Sequence, residues 1–294
     1  PVKVMRTLRK ASRHCYLLES ASQTEVWGRY SFLGYEPVME ITCTDGYMKI
    51  RHTEVGNDEG VTKQVAHPGD TLREILKEYK SPVMEEMPPF TGGLVGYFSY
   101  DYIKYSEPKL ELTDKTVQDF RDMDLMLFDQ VIAFDHYRQK VLLITGVMTD
   151  DLENSYRKAE EKLKEMADLI RNGKQKEFPS LKLKSSIEPQ FPKEKYCEMV
   201  ETAKHYIHEG DIFQVVLSNP MRAKAEGSLF DTYRVLRATN PSPYMFYFSS
   251  DDIEIAGASP ETLAKLTGTE LSTFPLAGTR PRGKTKEEDL ELER

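Results

Sequence analysis

Asn240-Pro241-Ser242-Pro243-Tyr244-Met245-Phe246-Tyr247-Phe248 is where one chain texture stops and another starts. Its two prolines rule out regular structure over 240–243, because each fixes its own φ and pushes the preceding residue out of the helical region. Upstream, Ser228 has the side chain of a helix N-cap, and the pattern from there to Ala238 is helical. Downstream, Tyr244–Phe248, Ile253–Ala258 and Thr262–Leu266 read as three strands joined by short turns. A helix followed by strand after strand with no room for crossovers selects antiparallel pairing. The predicted fold class is therefore α+β, with largely antiparallel sheets packed against helices in a layered sandwich rather than a doubly wound parallel sheet.

Working back, Lys193–Glu209 reads as a helix closing on Gly210, and Ile212–Ser218 as a strand with Gln214 and Val216 on the face opposite Phe213, Val215 and Leu217. The stretch 173–192 carries lysines, serines and prolines and is the candidate linker, although a surface loop within one domain fits it equally. It divides the chain into a β-rich domain over 1–172 and a second domain over 193–294. In the first, Cys15–Ser20 and Arg29–Gly34 are apolar segments around a polar loop that holds Trp27. Val38–Thr44 and Tyr47–His52 flank Asp45-Gly46, a hairpin signal. Asp70 is the expected N-cap of a helix over Thr71–Tyr79, and the glycine-interrupted Thr91–Phe98 predicts a strand closely approached by another backbone. Met123–Phe134 and Lys140–Met148 read as a strand pair turning at His136–Gln139. Residues 150–172 read as a charged surface helix with Leu152, Tyr156, Ala159, Leu163, Met166 and Ile170 on one stripe.

Phe274-Pro275-Leu276-Ala277-Gly278-Thr279-Arg280-Pro281-Arg282-Gly283 begins as a short apolar segment and breaks into a loop with two glycines, a hydroxyl and two guanidinium groups. No acidic side chain lies within it to neutralise Arg280 and Arg282, and two glycines let backbone N–H groups approach a ligand. Thr285-Lys286-Glu287-Glu288 follows as a capping box opening an acidic helix. A glycine-rich turn feeding a helix N-terminus suits an anion. A structural turn whose arginines pair with surface carboxylates fits the same residues.

The 294 residues carry a net charge of −8, which argues against a nucleic-acid or anionic-membrane partner. A lone basic loop in an acidic chain fits a small anionic ligand. Three cysteines without C-x-x-C spacing suit reduced thiols in a cytoplasm. The longest apolar run, Val141–Met148, is strand-sized. Pro1-Val2-Lys3-Val4 has no signal-peptide pattern, and Glu287–Arg294 is a helix pattern without a closing glycine, so the fold is expected to continue beyond it.

Leu17-Leu18-Glu19-Ser20, Gly28–Gly34, Gly210–Ser218, Asn240–Met245, Ser259-Pro260-Glu261 and Pro275–Gly283, in that order, resemble the large subunit (component I) of anthranilate synthase, a chorismate-utilising enzyme. The resemblance spreads over nearly the whole chain and makes 193–294 the first part of a chorismate-binding catalytic domain and 1–172 a regulatory one. It implies that chorismate and ammonia give an aminated intermediate that eliminates pyruvate, with magnesium on a substrate carboxylate. It implies ammonia delivered by a glutamine amidotransferase subunit in a hetero-oligomer, and feedback inhibition by L-tryptophan. The family's magnesium ligands and elimination histidine fall beyond residue 294, so no metal ligand is assigned here and this chain by itself is expected to be inactive. His205 and His208 share a helix at i, i+3 but lack a nearby third ligand.

Within the family, water-adding enzymes carry lysine at the position of Gln214, as water needs a general base and ammonia does not. Gln214 is therefore the expected catalytic residue, orienting the amine. Ala277 stands where many aminodeoxychorismate synthases have a nucleophilic lysine, which favours the anthranilate branch; the aminodeoxychorismate synthase large subunit is the alternative. Gly278 and Thr279 match the chorismate contacts, while Arg280 and Arg282 either reinforce the field or lock the loop. Glu19, Ser20, Pro243, Tyr244 and Met245 match the L-tryptophan site, with Glu19 neutralising the ammonium and Tyr244 and Met245 enclosing the indole. A tryptophan-binding module without turnover is the other reading of this chain.

Overall fold

The computed structural model describes residues 1–20, 28–53, 60–110, 120–276, 278 and 280–293. Trp27, Ala277 and Thr279 lie outside the described residues. Helix α1 (Val2–Ala11) precedes strands β1 (Cys15–Glu19), β2 (Tyr30–Tyr35), β3 (Met39–Thr44), β4 (Tyr47–His52) and β5 (Val61–Gln64). Helix α2 (Pro68–Glu78) leads to β6 (Gly93–Phe98), β7 (Met123–Phe128), β8 (Gln130–Asp135), β9 (Lys140–Thr145) and helix α3 (Leu152–Asn172). The short strands β10 (Lys182–Leu183) and β11 (Glu188–Pro189) precede helix α4 (Lys193–Glu209), and β12 (Met221–Arg222) and β13 (Ala225–Glu226) follow it. Helix α5 (Leu229–Thr239), strands β14 (Tyr244–Ser249), β15 (Glu254–Ser259), β16 (Thr262–Thr267) and β17 (Glu270–Phe274), and helix α6 (Lys286–Glu293) complete the order.

Two antiparallel sheets form the centre, a six-stranded one in the order β15-β14-β1-β2-β8-β9 and a five-stranded one in the order β5-β4-β3-β7-β6. Tyr16, Met126, Phe128 and Phe248 are buried between them. On the far side of the larger sheet, Met5 and Leu8 of α1, Met166 of α3 and Phe230 and Tyr233 of α5 pack on Leu17, Leu33, Met245 and Tyr247. On the far side of the smaller sheet, Leu72 and Ile75 of α2 pack on Ile41, Met48 and Leu125. The result is the expected α+β sandwich, layered helix, sheet, sheet, helix. The larger sheet takes strands from both sides of 173–192.

Met123–Phe134 is not one strand. It breaks at Asp129 into β7, in the smaller sheet, and β8, in the larger. β7 is buried at every position and β8 at all but one, so no alternation marks the break. Ile212–Ser218 is not a strand either: it is irregular, with Phe213 93% exposed, because among the described residues no strand edge pairs with it. The Asp70 cap is also replaced. Helix α2 starts earlier, with His67 at N-cap and Pro68 pre-shaped for the first turn, and Asp70 pairs with Arg73 at 2.7 Å. Helix α1, whose basic residues obscure a Val4–Met5–Leu8 stripe, and the exposed β5 were not legible. On α3, Ala159 and Met166 are buried but Leu152 and Tyr156 stay exposed.

Other expectations hold. Asp45 and Gly46 take φ of 48° and 79° in the β3–β4 turn, and a Cβ on Gly96 would stand 2.0 Å from the Asp124 carbonyl oxygen. Gly210 ends α4 at φ 83°. Ser228 caps α5, its Oγ accepting from the Phe230 N–H at 3.2 Å while donating to Glu254, which also accepts from the Leu229 N–H at 2.7 Å. Ser228→Ala is expected to cost about 1 kcal/mol, read from the urea midpoint.

Candidate effector groove and chorismate loop

The larger sheet brings together two stretches far apart in sequence. β1 and β14 pair antiparallel with Glu19 opposite Met245, so Ser20 and Tyr244 lie at the same end of adjacent strands. There Ser20, Arg29, Tyr30, Phe32, Pro243, Tyr244, Glu261 and Lys265 help line an open groove of about 690 Å³. Its size and mixed apolar and polar wall suit a small organic ligand. Tyr30 and Phe32 stack at 5.7 Å, and the Tyr244 hydroxyl meets Thr262 Oγ1 at 2.5 Å. Ser242 Oγ donates to the Ser259 carbonyl, tying the 240–243 turn to the end of β15.

Charge is placed around the groove. Arg29 donates through Nη2 to Asp135 at 2.8 Å, and its guanidinium lies 4.8 Å from the Tyr30 ring centroid. That hydrogen bond holds the Asp135 carboxyl down at about 2, and the same partner raises Arg29. Lys265 adds a second cation and Glu261 a carboxylate, whose Oε1 accepts from the Leu276 N–H at 3.4 Å. Arg29, Glu261 and Lys265 were not singled out from the sequence, although Arg29 and Glu261 sit inside the segments that carry the resemblance.

Glu19 and Met245 do not line the groove. Alternation along the paired strands turns them to the helix side of the sheet, opposite Ser20 and Tyr244. Glu19 Oε2 accepts from the Tyr233 hydroxyl at 2.7 Å and Arg237 Nε at 3.1 Å. Its Oε1 accepts from Ser31 Oγ at 3.4 Å, and Ser31 Oγ lies 2.7 Å from His136 Nε2. Burial holds His136 below the ordinary imidazole range. Met245, 1% exposed, belongs to the core.

The glycine-rich loop over 274–283 is only partly described. Gln214 is exposed on the irregular 211–220 segment, and no hydrogen bond joins it to 274–283 among the described residues. A Cβ at Gly278 would meet nothing within 4 Å, so packing in this chain does not demand glycine there. Gly283 is different: a Cβ would come 2.3 Å from the Asp289 backbone nitrogen. Arg282, itself 90% exposed, places Nη1 2.6 Å from Asp289 Oδ2, while Asp289 Oδ1 accepts from the Gly283 N–H at 2.9 Å. Thr285 Oγ1 accepts from the Glu288 N–H at 3.2 Å as a cap should, but the returning Glu288 carboxylate takes the Lys284 N–H at 2.7 Å. Carboxylates of α6 thus occupy the N–H groups of Gly283 and Lys284 that an anion would use.

Among the described residues, one trio offers metal-type ligand atoms within 4.8 Å of one another, His14, Glu40 and Asp251. It does not fit magnesium, which demands octahedral oxygen ligands, because Arg51 already bridges both carboxylates. His205 and His208 are exposed on α4.

A two-sheet antiparallel sandwich flanked by helices, with a groove at the β1–β14 end, defines the class. Residues 13–294 match the chorismate binding enzyme family, and the chain belongs to it. It is 37% identical to anthranilate synthase component 1 of Acinetobacter calcoaceticus, over all of this chain and 60% of that protein. It is also 35% identical to aminodeoxychorismate synthase component 1 of Bacillus subtilis, over 97% of this chain and 58% of that protein. The crystal structure of anthranilate synthase component I from Streptococcus pneumoniae TIGR4 aligns with a TM-score of 0.68 at 32% identity, covering 84% of this chain and 53% of that one. The resemblance to component I of anthranilate synthase is borne out, and the chain spans about 60% of the length of the curated relatives it matches.

Proposed function

We propose that this chain supplies the effector groove and part of the chorismate site of an anthranilate synthase large subunit. The whole protein would convert chorismate and ammonia to anthranilate, pyruvate and water, with ammonia from a glutamine amidotransferase subunit and magnesium held outside these residues. L-Tryptophan would inhibit it from the groove. The observation that carries this reading is the assembly of Ser20, Pro243 and Tyr244 in one groove that also holds aromatic rings, two cations and a carboxylate. An aromatic amino acid presents the matching indole, carboxylate and ammonium, with Glu261 rather than Glu19 beside the ammonium. Gln214 and the Gly278–Thr279 corner would meet chorismate in the whole protein. Three free thiols suit a cytoplasmic setting.

Isothermal titration calorimetry of the 294-residue chain with L-tryptophan tests the groove. Binding is expected, and Tyr244→Ala is expected to weaken it about tenfold or more, roughly 1.4 kcal/mol. Equal affinity in that variant would remove the groove from the account. The chain alone is expected to show no magnesium- and chorismate-dependent turnover, and turnover would place the catalytic groups inside it. The Bacillus subtilis relative keeps the aminodeoxychorismate branch in view. Release of 4-amino-4-deoxychorismate instead of anthranilate by the whole protein with its amidotransferase would select that branch, against the reading of Ala277.

A further inference from the structure

Four ionisable side chains meet where the turn of the β14–β15 hairpin touches the smaller sheet. His14 Nε2, just before β1, lies 3.0 Å from Glu40 Oε1 on β3 and 3.3 Å from Asp251 Oδ1 in the turn. Arg51, directly across from Glu40 on β4, places Nη2 against Glu40 Oε2 and 3.0 Å from Asp251 Oδ2. The next turn residue is held in the same way: Arg121 reaches Asp252 at 2.7 Å and Asp124 of β7 at 2.8 Å. Both acidic residues of the turn are thus pinned to the smaller sheet and its neighbours.

The two arginines keep their charge at any working pH. With a neutral His14, Glu40 and Asp251 share one cation, Arg51, and the cluster is one negative charge in excess. With a protonated His14 the charges balance. The side chains of His14 and Glu40 are only 15% and 13% exposed, so water screens that contact weakly, while Asp251, 54% exposed, is screened more. We infer that His14 is a proton-operated latch: charged, it ties Glu40 to Asp251 and holds the hairpin turn on the smaller sheet, and neutral, it lets the turn loosen. The opposite end of that hairpin carries Tyr244 of the groove, so the latch acts on the far end of a groove wall.

Burial pulls the His14 imidazolium down, but its 3.0 Å approach to Glu40 and the charges of Glu40 and Asp251 outweigh this and Arg51, leaving its pKa above the ordinary value. A raised histidine contributes stability that is complete below its unfolded pKa and lost as pH rises through its folded one. Burial also lifts Asp124, to about 6. Protonating that carboxyl favours the fold on the acid side too, whereas His136, held low by burial, opposes it there. A global melting curve mixes these groups, so the test must be local.

The test is a histidine side-chain NMR titration of the full 294-residue chain, with amide hydrogen exchange over 244–259 at about pH 6 and about pH 8.5, corrected for intrinsic rates. The His14 midpoint is expected above that of the denatured chain's histidines, with protection of the turn falling several-fold at the higher pH. His14→Gln should flatten that fall. Asp251→Asn, at a half-exposed position that leaves the core intact, should lower the His14 midpoint, and this arm decides if His14→Gln does not fold. An unchanged midpoint in Asp251→Asn, or the same fall in folded His14→Gln, would overturn the latch. So would tight binding of added Zn²⁺ with proton release at His14, which would make the cluster a metal site.

Discussion

Phe230→Ala is expected to destabilise the chain by about 3–5 kcal/mol, the range for removing a fully buried aromatic side chain. Phe230 is completely buried in the first turn of α5. Its ring meets Phe178 at 5.1 Å and Tyr247 at 5.2 Å, the latter edge-on, so it joins α5 to strand β14 of the larger sheet. Aromatic pairs of this geometry add to the plain burial, and both neighbours lose a partner with the ring. The side chain also sits next to the Ser228 cap, so the cavity opens where the helix begins. The shift of the urea midpoint at constant slope measures the effect. A loss below about 1 kcal/mol would mean that α5 does not pack on β14 as described.

Glu19→Ala is expected to cost about 1–3 kcal/mol, chiefly from leaving the buried Tyr233 hydroxyl without its acceptor. The Glu19 side chain is 1% exposed, and Tyr233 is fully buried. Arg237 is 40% exposed and regains water when its partner goes, so its share is small. Glu19→Gln keeps an oxygen acceptor at the same reach and is expected to cost less. These variants also separate two roles for Glu19. As the ammonium partner of a groove ligand, Glu19 would show its loss mainly in affinity. From the helix side of the sheet it shows its loss mainly in stability. Urea unfolding and tryptophan calorimetry on the same proteins tell the two apart, and abolished binding with unchanged stability would restore the first role.

Much of the local chemistry was legible, the Asp70 cap excepted. The serine cap of α5, the Asp45-Gly46 hairpin, the Gly210 terminus and the close backbone approach at Gly96 all depend on residues near in sequence or on a single missing side chain. Patterns failed where burial or exposure was uniform. β7 and β8 are covered on both faces, so neither shows an alternation that would assign it to a sheet, and the polar Asp129-Gln130 pair is the one local mark of the change. The 212–218 stretch is an apolar run with no strand beside it among the described residues, and an apolar run without a partner does not make a strand.

The site divides along the same line. Residue types and their order were enough to specify an antiparallel α+β chain of the chorismate binding family, and to nominate Ser20, Pro243 and Tyr244 for one site. The pairing of β1 with β14 decided that these three share a groove, and the pleat of those strands decided that Glu19 and Met245 face away from it. Whether Arg282 met a ligand or a carboxylate was likewise undetermined until α6 placed Asp289 against it. A sequence states which groups are present and how they are spaced along one strand or helix. Which face is covered, and by which distant segment, is settled only when the layers close, because the burial that rewards each choice comes from residues far along the chain.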